Sequence, residues 1–146
     1  MHAGEDIKKG ELILFITGRL KHLSAKTRSE AMSHPDWIGV TGSSWIDPES
    51  PCDFLNHSCD PNAGVLGKVS MYAIRDIKRN DEITVDYSTI EGNRLWEMKC
   101  KCNSKKCRGI IKSIHSLPRK TFDEYLPYIP KYFQKMYLRS HKPNHK

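Results

Sequence analysis

Residues 53–64 read DFLNHSCDPNAG, and this stretch governs how the rest of the chain is interpreted. Two apolar residues run into five that could each bind a metal, a cofactor or a substrate, from Asn56 to Asp60. His57 and Cys59 could form a nucleophilic pair, but residues two apart on an extended chain point the same way without necessarily meeting, and no third orienting group is evident. We therefore do not favour a Cys/His nucleophile and expect the partners of this stretch elsewhere in the chain.

A second cysteine-rich stretch, CKCNSKKCRG at 100–109, places three thiols within eight residues. Cys100, Cys102 and Cys107 have a C-x-C-x4-C spacing that lets one loop wrap a cation, and the surrounding lysines make a place in the core implausible. Five cysteines clustered in this way favour metal ligands in a reducing compartment over disulfides. Structural zinc needs a fourth ligand. On the residues alone that ligand is one of three side chains: Cys52, Cys59 or His115.

Length and composition restrict the chain to one domain, with room for a small appendage. The 146 residues are 38% hydrophobic and 28% charged, with a formal net charge of +7. This composition is ordinary for a globular protein. The positive net charge favours acidic partners. No apolar run reaches the length of about 18 residues that a membrane span needs, and Glu5 and Asp6 stand where a signal peptide would be basic. We expect a soluble, intracellular protein of the cytoplasm or nucleus with no membrane partner.

The patterning predicts short strands in the first two thirds of the chain. One strand is expected within residues 7–18, and two more, over 69–74 and 82–87, flank a turn at Asn80, since asparagine tolerates positive φ. Alternation in the last of these strands places Tyr87 on its apolar face.

Other segments are less regular. Residues 24–37 are weakly helical, and the density of Gly, Ser, Pro and Asp over 38–53 predicts a loop. The C-terminal segment has helical spacing interrupted by Pro127 and Pro130, so one or two short amphipathic helices are expected. Residues 118–146 carry seven Lys or Arg against two Asp or Glu, interleaved with aromatics. Such a segment can bind nucleic acid, but a docked helix with a solvated charged face is the favoured interpretation.

The chain resembles the SET-domain protein-lysine methyltransferases that carry a post-SET zinc knuckle. The resemblance rests on three motifs in the same order and at similar spacing, NHSCDPNA at 56–63, DEITVDY at 81–87 and CKCNSKKCRG at 100–109. AGEDIKKGELI at 3–13 and AIRDIKRNDE at 73–82 are similar to the same domain. The ordered set covers about residues 3–110 and is highly specific.

The resemblance implies a mostly β (α+β) fold, a SET-domain β-clip of small sheets with a post-SET zinc knuckle and short C-terminal helices. In the family's pseudoknot, residues 56–60 would cross residues 83–87. The implied domains are a SET domain at 1–98, the knuckle at 99–111 and a helical, basic extension at 112–146. The family usually opens on a strand carrying G-x-G, and those glycines are absent here, so we expect the SET domain to lack that strand.

The resemblance also implies roles for single residues. Asn56 and His57 match residues that hold S-adenosylmethionine, and Tyr87 matches the catalytic tyrosine, which also lies at the cofactor. Cys52 has no assigned role and is expected to be structural. The residues that match zinc ligands in the family are all cysteines: Cys59, Cys100, Cys102 and Cys107.

The implied reaction is methyl transfer from S-adenosylmethionine to a lysine side chain, leaving S-adenosylhomocysteine. The implied partner is a protein bearing that lysine, for example a histone-like or other basic protein, and nucleic acid is the less favoured partner. Only the neutral amine can attack, and its deprotonation at neutral pH costs about 4 kcal/mol, which an apolar channel lowers. The alternative is a catalytically impaired, zinc-stabilised module that binds protein or nucleic acid.

Overall fold

The computed structural model describes residues 1–22, 34 and 37–142, so the weak helix predicted over 24–37 falls almost entirely outside the described residues. Short strands dominate the described part. They are β1 (Leu12–Phe15), β2 (Gly18–His22), β3 (Ile38–Thr41), β4 (Ser44–Pro48), β5 (Asn56–His57), β6 (Ala63–Leu66), β7 (Ser70–Ala73), β8 (Thr84–Val85), β9 (Glu97–Lys99) and β10 (Ile110–Lys112). Two α-helices follow, α1 (Arg119–Tyr125) and α2 (Lys131–Ser140).

The strands form small sheets, which confirms the predicted mostly β fold. One antiparallel sheet has the order β1-β7-β6, and the strands predicted within 7–18 and 69–74 correspond to β1 and β7. One face of this sheet supplies the core, where Val65, Met71 and Ala73 are fully buried. The turn predicted at Asn80 is present, with φ of 70°.

A second antiparallel sheet, with the order β2-β4-β3, corrects the loop predicted over 38–53. The glycines, serines and prolines of this segment suggested a loop, but they flank residues that fill the core. Ile38, Trp45 and Ile46 are buried. Pairing of Ile46 with Leu20 on one side and with Ile38 on the other forms the sheet, because burial of these side chains outweighs weak local propensity.

The C-terminal segment folds into the two short helices that were predicted. A 3-10 turn at Leu126–Tyr128 separates α1 from α2, and Pro130 precedes the first residue of α2. Their apolar side chains form a second core around Phe122, Phe133 and Tyr137. This core reaches the first one at Gly39, where a Cβ atom would collide with the carbonyl oxygen of Ile90 and lie 3.0 Å from the ring of Phe133. The helices therefore pack against the sheet that precedes the NHSC motif.

Candidate active site and metal centre

The two shortest strands bring the NHSC and EITVDY motifs together. β5 and β8 pair in parallel, with Asn56 opposite Thr84 and His57 opposite Val85. The amide of Ser58 continues the ladder by donating to the carbonyl of Val85, 3.0 Å away. This places the segment that follows β8, which contains Tyr87, beside the segment that follows β5.

Tyr87 opens a 3-10 turn, Tyr87–Thr89, instead of ending a strand as predicted. Asp86 caps this turn, because its Oδ1 accepts a 3.0 Å hydrogen bond from the amide of Ser88. The Tyr87 hydroxyl donates to the carbonyl oxygen of Leu55 at 2.6 Å. The ring is thus partly buried while its hydroxyl is held at the residue before Asn56.

His57 lies between this turn and the thiols. Its Nδ1 accepts from the Tyr87 amide at 3.2 Å, and its Nε2 lies 3.3 Å from the Cys59 sulfur. Burial lowers the pKa of His57 to about 4, and the nearby Arg108 acts in the same direction, against the opposing effect of Asp86. The imidazole is therefore neutral at neutral pH, with one nitrogen as donor and the other as acceptor.

Three cysteines and His57 form a compact group of possible metal ligands. The ligand atoms of His57, Cys59, Cys100 and Cys102 all lie within 4.8 Å of one another. The Cys59 and Cys100 sulfurs are 3.7 Å apart. Tetrahedral zinc with Zn–S bonds of about 2.3 Å sets sulfurs about 3.8 Å apart, so the Cys59 and Cys100 sulfurs already have the spacing of two zinc ligands.

Cys107 sits at the edge of this group and is exposed. Its sulfur lies 3.9 Å from the carbonyl oxygen of Cys100, and its amide donates to the carbonyl of Ser104. Of the four cysteines predicted as zinc ligands, Cys107 alone is therefore outside this group of possible ligands, and His57 is its fourth member.

The thiols differ in acidity in the absence of metal. Burial raises the pKa of Cys59 and of Cys100. Cys102 is also partly buried, but the Cys59 amide and the Ser104 amide and hydroxyl outweigh that burial and lower its pKa to about 6. A thiolate at Cys102 is therefore available near neutral pH, which suits a cation ligand.

A buried ion pair links the cluster to the tyrosine turn. Arg108 Nη2 lies 2.6 Å from Asp86 Oδ1, and the two side chains are 18% and 1% exposed. The backbone amide and Nε of Arg108 both donate to the Cys59 sulfur at 3.4 Å. Neither Arg108 nor Asp86 was singled out from the sequence, although Arg108 directly follows the last cysteine of the knuckle.

A cavity of about 810 Å³ opens against these elements. Volumes of this order are typical of small-molecule and cofactor sites. One wall is polar and includes Asn56, whose amide nitrogen donates to Glu82 Oε1 at 2.7 Å. Apolar and aromatic residues form another part of the lining: Trp37, Ile38, Leu55, Ile90, Trp96 and Met98. All three predicted cofactor residues, Asn56, His57 and Tyr87, line this cavity.

Comparison with known proteins places the fold in a family. The sequence model of the SET domain matches residues 1–88. The chain belongs to the SET-domain family. The predicted resemblance is thereby confirmed for the part of the chain that contains Asn56, His57 and Tyr87.

Relatives and solved structures agree with this family. The histone-lysine N-methyltransferase ash1 of Drosophila melanogaster is 36% identical over 120 residues, which cover 72% of this chain and 5% of that protein. The methyltransferase domain of human histone-lysine N-methyltransferase SETMAR superposes with a TM-score of 0.57 at 21% identity, over 75% of this chain and 52% of that one. An autoinhibited ctPRC2 bound to S-adenosylmethionine superposes with a TM-score of 0.52 at 22% identity, over 63% of this chain and 14% of that one.

The chain spans about half of the matched SETMAR chain and a small part of ash1. The structural likeness establishes the fold. Within the described ranges, no helix is long and apolar enough to cross a membrane.

Proposed function

We propose that this chain transfers a methyl group from S-adenosylmethionine to a lysine side chain of a protein substrate. The observation that carries the proposal is the Tyr87 hydroxyl, bonded to the Leu55 carbonyl on the wall of a cavity that Asn56 and His57 also line. Membership of the SET-domain family supports the same reaction. Asn56, His57 and Tyr87 are proposed as the cofactor-binding residues and Tyr87 as the catalytic one.

The cavity suits a cofactor with polar ends and a positive centre. S-adenosylmethionine supplies the methyl group on a sulfonium when it is bound. Asn56 offers its side-chain oxygen, because its nitrogen is engaged by Glu82, and the backbone of His57 is held in the β5–β8 pair. Carboxylate and carbonyl oxygens are suitable neighbours for an ammonium or an electron-poor methyl group.

Tyr87 is proposed to orient the substrate amine. Its hydroxyl donates a hydrogen bond to the Leu55 carbonyl, and a phenolic oxygen that donates one hydrogen bond has the chemistry to accept another from an incoming amine. Leu55 and Ile90 are apolar residues of the cavity lining. Burial of the substrate amine beside them disfavours its charged ammonium form and lowers the free-energy cost of its deprotonation. Holding the amine in one orientation toward the methyl group lowers the barrier to such a transfer.

Zinc is proposed as a structural ion held by Cys59, Cys100, Cys102 and Cys107. His57 is the competing fourth ligand by proximity. Its Nδ1 accepts from the Tyr87 amide, so the neutral ring carries its proton on Nε2, where it can donate to the Cys59 thiolate instead of binding metal. This hydrogen-bond pattern supports Cys107 as the fourth ligand.

The substrate and location are proposed from the relatives. The ash1 protein is named a histone-lysine N-methyltransferase, and we propose a histone substrate and a nuclear location for this chain. The alternative function is a zinc-stabilised binding module without activity, which would keep the cluster but lose the cofactor.

One experiment separates these functions. The zinc-loaded chain is titrated with S-adenosylmethionine by calorimetry, and methyl transfer from labelled cofactor to core histones is measured in parallel. The methyltransferase proposal expects saturable binding and label on lysine. Binding weaker than millimolar, with no label on any histone or on mixed cellular proteins, would favour the binding module. A salt-sensitive affinity for oligonucleotides would identify nucleic acid as the partner of that module.

A further inference from the structure

Arg108 makes contacts on both sides of the boundary between the metal cluster and the tyrosine turn. Its backbone amide and its Nε donate to the sulfur of Cys59, each at 3.4 Å. Its Nη2 donates to Asp86 Oδ1 at 2.6 Å. A planar guanidinium can make both contacts at once because its donors are fixed in a fork. One side chain thus connects a thiol of the metal cluster with the carboxylate that caps the turn of Tyr87.

Asp86 depends on this contact. Its carboxylate is buried, and Oδ1 accepts from Arg108 and from the amide of Ser88. Oδ2 is buried without a hydrogen-bond partner among the described residues. A buried carboxylate that loses its cation is strongly disfavoured, so Arg108 stabilises the charge of the residue that caps the turn beginning at Tyr87.

A second route runs from the cluster to Tyr87 through His57. The Tyr87 amide donates to His57 Nδ1, whereas the Ser88 amide donates to Asp86 Oδ1. Two adjacent amides therefore report on two separate contacts. Exchange at Tyr87 follows the histidine contact, and exchange at Ser88 follows the contact with Asp86 that Arg108 maintains.

We propose that Arg108 is a positioning residue that holds the turn of Tyr87 in register with the metal-bound knuckle. The inference rests on the proposed methyl transfer, since its functional effect is on the rate of that reaction. Arg108 is not among the residues that line the cavity, and it is not one of the possible metal ligands. Its loss lowers the turnover number while the KM for the cofactor and the zinc content stay near their original values.

The test is amide hydrogen exchange by NMR on the zinc-loaded full chain, with steady-state methyl transfer measured alongside at several cofactor concentrations. Arg108→Gln is expected to accelerate exchange at Ser88 at least tenfold. Exchange at Tyr87, and at Cys100, whose amide donates to the Gly109 carbonyl within the knuckle, should stay within threefold of the original rate. The methyl-transfer rate should fall at least tenfold, with the cofactor KM changed less than threefold.

Two further variants keep the test decisive. Arg108→Lys retains a cation but loses the fork, so the same selective effect at Ser88 is expected even if Arg108→Gln folds poorly. Arg119→Gln is the matched control, because it breaks an exposed Arg–Asp pair on α1, and it should change none of these readouts.

Equal acceleration at all three amides would show that Arg108 supports only global stability, and unchanged Ser88 exchange would show that it does not hold the turn; either result overturns the inference. An original chain that transfers no methyl group, with the selective exchange pattern intact, would remove the proposed function and leave Arg108 as the residue that orders this turn.

Discussion

The hydroxyl of Tyr87 donates a 2.6 Å hydrogen bond to the carbonyl oxygen of Leu55, the residue directly before Asn56. This bond joins the end of the EITVDY motif to the start of the NHSC motif, 32 residues earlier in the chain. It holds the hydroxyl on the cavity wall, where a substrate amine can reach it. The catalytic proposal therefore depends on one atom whose removal leaves the ring and its packing in place.

Tyr87→Phe should lower methyl transfer by about 10²-fold, the scale of effect that misplacing a reacting group produces. The free energy of unfolding should fall by only about 1 kcal/mol, the usual net value of one hydrogen bond. Transfer of labelled methyl groups and chemical denaturation measure the two effects. Tyr132→Phe is the control, since Tyr132 lies on α2 and is 43% exposed. Equal transfer rates in the two variants would contradict the catalytic role.

Removal of zinc should weaken cofactor binding as well as stability. Cys102 and His57 belong both to the ligand group and to the cavity lining, so an unfolded knuckle would open one wall of the cavity. Because metal binding contributes directly to folding, chelation should lower the melting temperature, and calorimetry should show at least a tenfold weaker affinity for S-adenosylmethionine. Added zinc should restore both. An unchanged cofactor affinity in the metal-free chain would show that the two sites are independent.

Replacement of Cys107 tests the fourth metal ligand. Cys107→Ser should lower zinc affinity at least tenfold and reduce the thiolate-to-metal charge-transfer absorption of the cobalt-substituted chain. Cys52→Ser is the matched control, because Cys52 is buried outside the cluster. Full zinc affinity and unchanged absorption in Cys107→Ser would assign the fourth position to His57.

Stability should depend on pH through Glu91, a cavity-lining residue. Burial raises the pKa of its carboxyl above the ordinary 4.5, against the hydrogen bonds that it accepts from the Asn93 amide, the Trp45 side chain and the Gly92 amide. The folded chain thus keeps a proton that the unfolded chain releases near 4.5. The free energy of unfolding should therefore fall as pH rises from about 4.5 through the higher folded value.

Denaturation curves at several pH values check this dependence. Glu91→Gln should remove that part of the slope, because a neutral amide does not titrate. Glu5→Gln, at an exposed position, should leave the slope unchanged. A slope that persists in Glu91→Gln would assign the pH dependence to another group.

Local sequence patterns were sufficient to predict the secondary-structure elements that are determined by residues close together in the chain. The strand containing Leu14 was predicted from an apolar run after a Lys-Gly turn, the turn at Asn80 from turn chemistry, and one or two C-terminal helices from helical spacing. The segment over 38–53 was predicted wrongly, because its loop-like composition conceals Trp45 and Ile46, which become buried only when β4 pairs with both of its neighbours.

The order and spacing of three motifs were enough to predict the family, the cavity-lining residues Asn56, His57 and Tyr87, and a cysteine cluster of zinc-binding type. Tertiary structure alone decided how these pieces meet. The parallel β5–β8 pair, the proximity of His57 to Cys100 and Cys102 and the contact of Arg108 with Asp86 join residues that are tens of positions apart. The physical reason is that hydrogen bonds and ion pairs act over about 3 Å in space, a distance that spacing along the chain does not encode.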